Sequence, residues 1–238
     1  MQTRKRVNEQ TLREALAFLS GATAALMVCL FYLVAYANTP ENRPEQDATA
    51  TLAVTERTIK PISADAYMPL YLQTEPQWAH FPYANGTIGD SGCGLACAAM
   101  AIKYMTTQDV TPATLSDLVG ASCLTDNVND PAKFASWIVS TYPEYGITAT
   151  PKFYLLESAL DMVNSGWVCF AGLSGGFGEA IYASHVVLLW RSDDGGYWVR
   201  DPASAANSAH AFTAEELHSV DFSYFVGIRS GFYDIARH

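Results

Sequence analysis

The sequence predicts an α+β protein, with helices in the middle of the domain, an antiparallel sheet towards its end and one N-terminal hydrophobic helix. Three observations predict this class. A small, apolar, helix-prone run follows Gly92-Cys93-Gly94, helix-start signals dominate the middle third, and strand patterns dominate the last third. With 238 residues, half of them hydrophobic, the chain can bury one sizeable core.

The first 37 residues are predicted to be a targeting segment rather than part of the fold. Residues 1–14 are basic and are expected to stay in the cytoplasm, and residues 15–37 are almost wholly apolar. About 23 apolar residues are enough to span a bilayer, whereas Ala35-Tyr36-Ala37 has the small-x-small form of a signal-peptidase site. A membrane anchor and a signal peptide cleaved near Ala37 both stay open, and either places the domain outside the cytoplasm. The size of precursor and mature protein on a gel distinguishes them.

Residues 38–62 are polar and lack a sustained period, which predicts a flexible linker, and residues 63–238 are expected to form the folded domain. The net charge is −10, and the chain holds no long cluster of Lys and Arg. This charge balance argues against a nucleic-acid partner. The sequence contains no internal repeat, P-loop pattern or heptad run.

Cys93 is the candidate nucleophile of this domain. Gly92 and Gly94 allow a sharp turn or a close backbone approach, and a helix starting beside Cys93 would favour its thiolate through unpaired N–H groups. The alternative is a small buried core cysteine. Cys97 lies one helical turn further on and is predicted to be core. Since no second Cys/His pair has ligand spacing, neither a metal nor a cofactor is predicted.

Helix-start signals recur after the Cys93 helix. Thr111-Pro112 and Asp130-Pro131 each place Pro at the first helical position behind an N-cap residue. Residues 84–94 are rich in Gly, Asn, Asp and Ser, which predicts a loop. The predicted helices are 95–105, 112–119, 132–141 and 153–164, with a short capping-box helix at 213–216.

Strand patterns follow, and one of them is apolar on both faces, which predicts a central strand. The predicted strands are 167–173, 184–190, 197–200 and 222–229, with a glycine loop at 175–178. A turn centred on residues 193–194 would place His185 opposite Asp201 or Pro202. A one-residue slip would move Asp201 to the other face. Cys93, His185 and Asp201 can then supply a nucleophile, a base and a carboxylate that orients the base.

Several motifs together resemble the papain-like cysteine peptidases, and most closely the stand-alone relatives of the double-glycine (bacteriocin-processing) peptidase domains. The likeness covers about residues 67–228. The motifs are Gln73-Thr74-Glu75-Pro76-Gln77-Trp78, Gly86-Thr87-Ile88-Gly89-Asp90-Ser91-Gly92-Cys93-Gly94, Thr111-Pro112, Ser184-His185-Val186-Val187-Leu188, Val199-Arg200-Asp201-Pro202 and Phe212-Thr213-Ala214-Glu215-Glu216-Leu217.

This resemblance implies a papain-like fold, in which a helical subdomain carrying the Cys helix packs on an antiparallel sheet. It implies Cys93 as nucleophile, His185 as general base and acid, and Asp201 as the residue that orients His185. It also implies Gln73 as side-chain oxyanion donor beside the Cys93 backbone N–H, with Gln77 as its rival. The chain departs from the family in carrying Leu-Ala-Cys after Cys-Gly and in having no transporter or nucleotide-binding segment.

The predicted function is therefore an exported or membrane-anchored bacterial cysteine peptidase or amide hydrolase, a monomer acting on a peptide or protein. Two alternatives stay open. One is a catalytically silent, papain-like binding module on the cell surface. The other is an NlpC-type cell-wall amidase, whose chain order is also Cys then His.

Overall fold

The computed structural model describes residues 67–193 and 195–231. The predicted n-region (1–14), anchor or signal (15–37) and linker (38–62) lie outside them. Within the described residues, no helix is both long and apolar enough to cross a membrane.

The described residues form an α+β fold of short helices around an antiparallel sheet, which confirms the predicted class. The helices are α1 (Ile88–Ser91), α2 (Cys93–Thr106), α3 (Pro112–Val119), α4 (Pro131–Thr141), α5 (Leu156–Asn164) and α6 (Ala214–His218), with a 3-10 turn at Pro143–Tyr145. The strands are β1 (Pro82–Tyr83), β2 (Gly86–Thr87), β3 (Leu124–Thr125), β4 (Val128–Asn129), β5 (Thr148–Ala149), β6 (Val168–Phe177), β7 (Ala180–Asp193), β8 (Gly196–Arg200), β9 (Ala211–Phe212) and β10 (Asp221–Arg229).

The main sheet has the strand order β5-β10-β6-β7-β8-β9, and each neighbouring pair is antiparallel. Strand β7 lies inside it, as its apolar sequence predicts. Val186 and Leu188 belong to the core cluster that contains α2, whereas Val187 and Leu189 belong to a second cluster with α5. Both faces of the sheet are therefore buried, and β7 is apolar on both sides for that reason.

The helices with a Pro start signal form where they are predicted. Helix α3 spans Pro112–Val119, and α4 begins at Pro131, one residue before the predicted start. The third helix begins at Leu156 rather than at Phe153. Phe153 instead exchanges backbone hydrogen bonds of 3.0 and 2.7 Å with Phe225 of β10, so sheet pairing takes precedence over helix formation there.

Two segments predicted as loops are more regular than expected. Residues 84–94 include β2 and α1, and the Thr87 and Asp90 side chains form a capping box at the start of α1. The glycine segment 175–178 mostly continues β6, which ends at Phe177 and pairs with β7 from Ala180. The sequence obscures this strand because glycine lacks the side chain that strand patterns depend on.

Gly92 joins the end of α1 to the start of α2, and the absence of a side chain there leaves room for the neighbouring backbone. Its φ is −88°, which any residue can adopt. A Cβ atom at this position would overlap the Ile88 carbonyl oxygen and lie 2.7 Å from Ile88 Cγ2. The glycine that precedes Cys93 thus permits a close approach of two backbone segments.

We expect Gly92→Ala to lower the free energy of unfolding by about 1–3 kcal/mol, because the backbone must shift to relieve the overlap. Gly176→Ala is the matched control, since a Cβ atom added there would have no atom within 4 Å of it. That variant should change stability by less than about 1 kcal/mol. Urea unfolding of both variants measures the difference, and equal effects would contradict this role of Gly92.

Candidate active site

Cys93 lies at the first position of α2, directly after the N-cap residue Gly92. The described cysteines are all free; Cys93 is partly exposed, whereas Cys97, Cys123 and Cys169 are buried. Burial raises the pKa of the Cys97 thiol well above its ordinary value and that of Cys169 to about 12. Cys97 is a core residue, as predicted, and its Sγ lies 3.3 Å from the Val186 carbonyl oxygen. Of the described thiols, Cys93 has the position that a nucleophile needs.

His185 lies within β7, Asp201 directly follows the last residue of β8, and their side chains are in contact. The His185 Nε2 atom lies 2.7 Å from Asp201 Oδ1, and the two side chains are only 4% and 0% exposed. The predicted direct opposition of the two residues is wrong, because Leu188 pairs with Arg200 and the turn follows Asp193. A register shift between Leu189 and Arg191 changes which residues of β7 and β8 pair with each other. Extended past Leu188, this register makes His185 and Asp201 diagonal neighbours on one face.

The Asp201 carboxylate receives hydrogen bonds on both oxygens. Oδ1 also accepts from the Ala203 N–H at 2.8 Å, and Oδ2 accepts from Asn207 Nδ2 at 2.8 Å and from the Tyr182 hydroxyl at 3.2 Å. Burial by itself would raise the pKa of Asp201, but the hydrogen bond and charge of His185 and the other donors hold that pKa below its ordinary value. Asp201 is therefore a buried, fully hydrogen-bonded anion.

The His185 ring is held from several directions. The Tyr182 ring stacks on it, with centroids 4.1 Å apart and planes inclined by 11°. Burial alone would lower the pKa of His185, but its hydrogen bonds to Asp201 and Cys93, together with their negative charges, raise it to about 9. Since Nε2 faces Asp201, Nδ1 is the ring nitrogen left for Cys93. At neutral pH this geometry favours an imidazolium paired to the Asp201 carboxylate.

Gln73 lies between helix α1, which precedes Cys93, and the segment that follows β8. Its backbone N–H donates to the Pro202 carbonyl at 2.7 Å, and its side-chain Nε2 donates to the Gly89 carbonyl at 2.7 Å. Gln73 is buried, with 8% of its surface exposed. An amide nitrogen carries two N–H groups, and Gly89 takes one of them. The rival Gln77 is exposed and hydrogen-bonds to Glu75 instead.

Sequence reasoning missed the side chain that contacts the Cys93 sulfur, which is Asn129 at the end of β4. Its Nδ2 atom lies 3.6 Å from Cys93 Sγ. The sequence does contain one usable signal, since Asp126-Asn127 is a typical two-residue hairpin turn, and both residues have positive φ values of 52° and 59°. That signal predicts the hairpin but not the contact. Tyr182 was also missed, and so was Asn207.

The described residues include no group of three or more His, Cys, Asp or Glu side chains arranged to hold a metal ion. What they do bring together is a thiol, an imidazole, a buried carboxylate and two side-chain amides. This set can perform nucleophilic chemistry at a carbonyl carbon.

No family model matches the chain, and no curated protein matches it. Among solved structures, it is similar to a C39-like peptidase from Bacillus anthracis at 14% identity and a TM-score of 0.45, covering 72% of this chain and 99% of that chain. It is also similar to a double glycine motif protease from an AMS/PCAT transporter in complex with the leader peptide, at 16% identity, a TM-score of 0.44 and coverages of 72% and 99%. The third is the peptidase domain of Streptococcus ComA, a bi-functional ABC transporter, at 13% identity, a TM-score of 0.43 and coverages of 68% and 97%.

These structural neighbours are C39-like double-glycine peptidase domains, the class that the sequence motifs resemble. Similarity at this level assigns no role to any residue of this chain.

The charge on His185 should make stability depend on pH. A histidine in the unfolded chain releases its proton near pH 6.5, whereas folded His185 keeps it to about pH 9. The stabilisation from this proton is complete below pH 6.5 and is lost as the pH rises through about 9. Asp201 acts in the opposite direction, because its stabilisation is present above the ordinary carboxyl pKa of 3.8 and is lost as the pH falls through its lowered folded value.

Urea unfolding at pH 6, 7.5 and 9.5 measures this dependence. The free energy of unfolding should fall over that range, and Asp201→Asn should flatten the fall, because the charge that holds the imidazolium is gone. A wild-type profile as flat as that of Asp201→Asn would contradict the proposed charge state.

Proposed function

We propose that this protein is a cysteine peptidase or amide hydrolase that forms an acyl-enzyme on Cys93. One observation carries the proposal: a partly exposed thiol at a helix N-terminus interacts with an imidazole that is itself paired to a fully buried carboxylate. A core cysteine would need none of these partners. The sequence motifs that resemble the double-glycine peptidases support a peptide or protein substrate.

In the first half-reaction the Cys93 thiolate attacks the substrate carbonyl carbon. The C–S bond forms as the carbonyl π electrons move to oxygen, and the resulting oxyanion accepts hydrogen bonds from the Cys93 backbone N–H and from Gln73 Nε2. The Cys93 N–H is suited to this role because the first N–H groups of a helix have no intrahelical acceptor. The imidazolium of His185 then protonates the amine as the C–N bond breaks, which leaves a thioester.

In the second half-reaction a water molecule replaces the amine. Neutral His185 removes a proton from the water as its oxygen attacks the thioester carbon, and the C–S bond breaks to release a carboxylic acid. The thiolate and the imidazolium are thereby restored. Asp201 keeps the ring oriented throughout, because its carboxylate is held by Ala203, Asn207 and Tyr182.

Export is part of the proposal and is supported by the sequence alone. The basic residues 1–14 and the apolar residues 15–37 are what indicate that the domain works outside the cytoplasm. The domain would then be either anchored by residues 15–37 or released after cleavage near Ala37.

We expect Cys93→Ala to abolish labelling by peptidyl electrophiles that react with active-site thiols, while thermal unfolding stays cooperative. Cys97→Ala is the matched control and should keep labelling within about threefold of wild type, because its sulfur is buried. Mass spectrometry of the labelled chain locates the modified residue. Labelling that persists in Cys93→Ala would move the nucleophile elsewhere. Labelling of wild type without turnover of any peptide or cell-wall amide in a broad library would favour a binding module.

A further inference from the structure

The amide of Asn129 is in contact with the atom that reacts. Its Nδ2 lies 3.6 Å from Cys93 Sγ and 2.6 Å from the Ser91 carbonyl oxygen. The two N–H groups of one amide can serve both acceptors at once. Asn129 is therefore a hydrogen-bond donor to Cys93.

The partners of Asn129 determine which end of the amide faces the sulfur. The Ser91 carbonyl oxygen can only accept a hydrogen bond, so a nitrogen must point at it. The other end of the amide, Oδ1, accepts from the Tyr83 hydroxyl at 2.8 Å, and Tyr83 is 6% exposed. Turning the amide around would place two oxygens against each other at Ser91. The N–H therefore stays directed at Cys93.

Gly94 makes this contact possible. A Cβ atom on residue 94 would lie 2.6 Å from Asn129 Cβ and 2.9 Å from its Cγ, closer than such atoms can approach. Gly94 is within helix α2, so what it provides is space rather than an unusual backbone angle. The glycine after Cys93 thus lets the β3–β4 hairpin reach the nucleophile.

Few groups around Cys93 can change charge between pH 5 and 9. Among the described residues, titratable groups that interact with it include His185 on β7, Tyr83 on β1, Tyr224 on β10 and Cys97 within α2. Burial raises the pKa of both tyrosines, that of Tyr224 to about 12, and raises the pKa of Cys97 well above its ordinary value. His185 is therefore the neighbour of Cys93 with a titration near this range.

We infer that Asn129 is a further catalytic residue, whose amide N–H donates to the Cys93 thiolate and stabilises the attacking form of the nucleophile. This inference rests on the proposed function of Cys93. A hydrogen bond to a charged atom should increase the thiolate population about tenfold. The same bond lowers the intrinsic nucleophilicity of the sulfur, but by less, because thiol reactivity follows basicity with a Brønsted slope of about 0.4–0.5.

These two opposing effects give a recognisable signature in thiol–disulfide exchange with dithiodipyridine. In this reaction the thiolate attacks one sulfur, the S–S bond breaks and a thiopyridone leaves. We expect Asn129→Asp, which replaces the donor with an acceptor and keeps an oxygen for Tyr83, to move the acid limb of the rate profile up by about one pH unit. Below the limb its rate should be about threefold lower than wild type, and on the alkaline plateau about threefold higher.

Three variants of the full chain control this experiment. Cys93→Ala gives the background from the other cysteines. Asn164→Asp introduces the same charge change at an amide that bonds to Tyr197 and should leave the profile unchanged. Gln73→Ala should slow amide turnover by about 10²–10³, because it removes an oxyanion donor, and it tests that role separately. Asn129→Leu removes the donor without adding charge and provides a second variant if Asn129→Asp is unstable to heat.

The inference is supported if the pH–rate profiles of wild type and Asn129→Asp cross, with the variant slower below the acid limb and faster on the alkaline plateau. An acid limb at the wild-type pH in both Asn129 variants, or a rate lowered equally at every pH, would overturn it and leave Asn129 with a structural role only. If wild type exchanges no faster than Cys93→Ala, Cys93 is not an accessible nucleophile, and that result overturns the proposed function and this inference together.

Discussion

The buried pair of His185 and Asp201 is the constraint on which the rest of the site depends. Taking a carboxylate and an imidazolium out of water is strongly unfavourable unless both are paired and hydrogen-bonded. Asp201 is satisfied by Ala203, Asn207 and Tyr182 as well as by His185. The loop after β8 and the start of β7 therefore both donate hydrogen bonds to this one carboxylate. The result is a histidine held in its charged form beside Cys93.

The two glycines beside Cys93 set the position of the sulfur through close packing. Gly92 allows the chain to pass against the Ile88 carbonyl, and Gly94 allows Asn129 to approach. Neither residue has a positive φ, so their conformational freedom is not what the site uses. The first turn of α2 is consequently contacted by α1, which directly precedes it, and by Asn129 of the β3–β4 hairpin, 36 residues after Cys93. This arrangement gives the thiol its partners without any disulfide among the described cysteines.

The parts of the fold that follow from local chemistry could be predicted from the sequence. Pro at the first helical position marks the start of α3, because an N–H at that position has no partner within the helix and its absence costs nothing. The proximity of His185 and Asp201 also follows from a hairpin, although a bulge that no sequence pattern marks changed their register. Asn129 could not be predicted, because its contact with Cys93 depends on how separate elements pack. Phe153 shows the same limit, since its pairing with Phe225 overrides a local helix pattern.

Nitrogen-15 NMR of the His185 ring determines whether folded His185 is a cation at neutral pH. Loss of the signal in His185→Gln assigns the resonances. We expect both ring nitrogens to carry protons at pH 7.5 and the titration midpoint to lie at about 9. A neutral ring at pH 7.5, with a midpoint at or below the ordinary value of 6.5, would contradict this expectation.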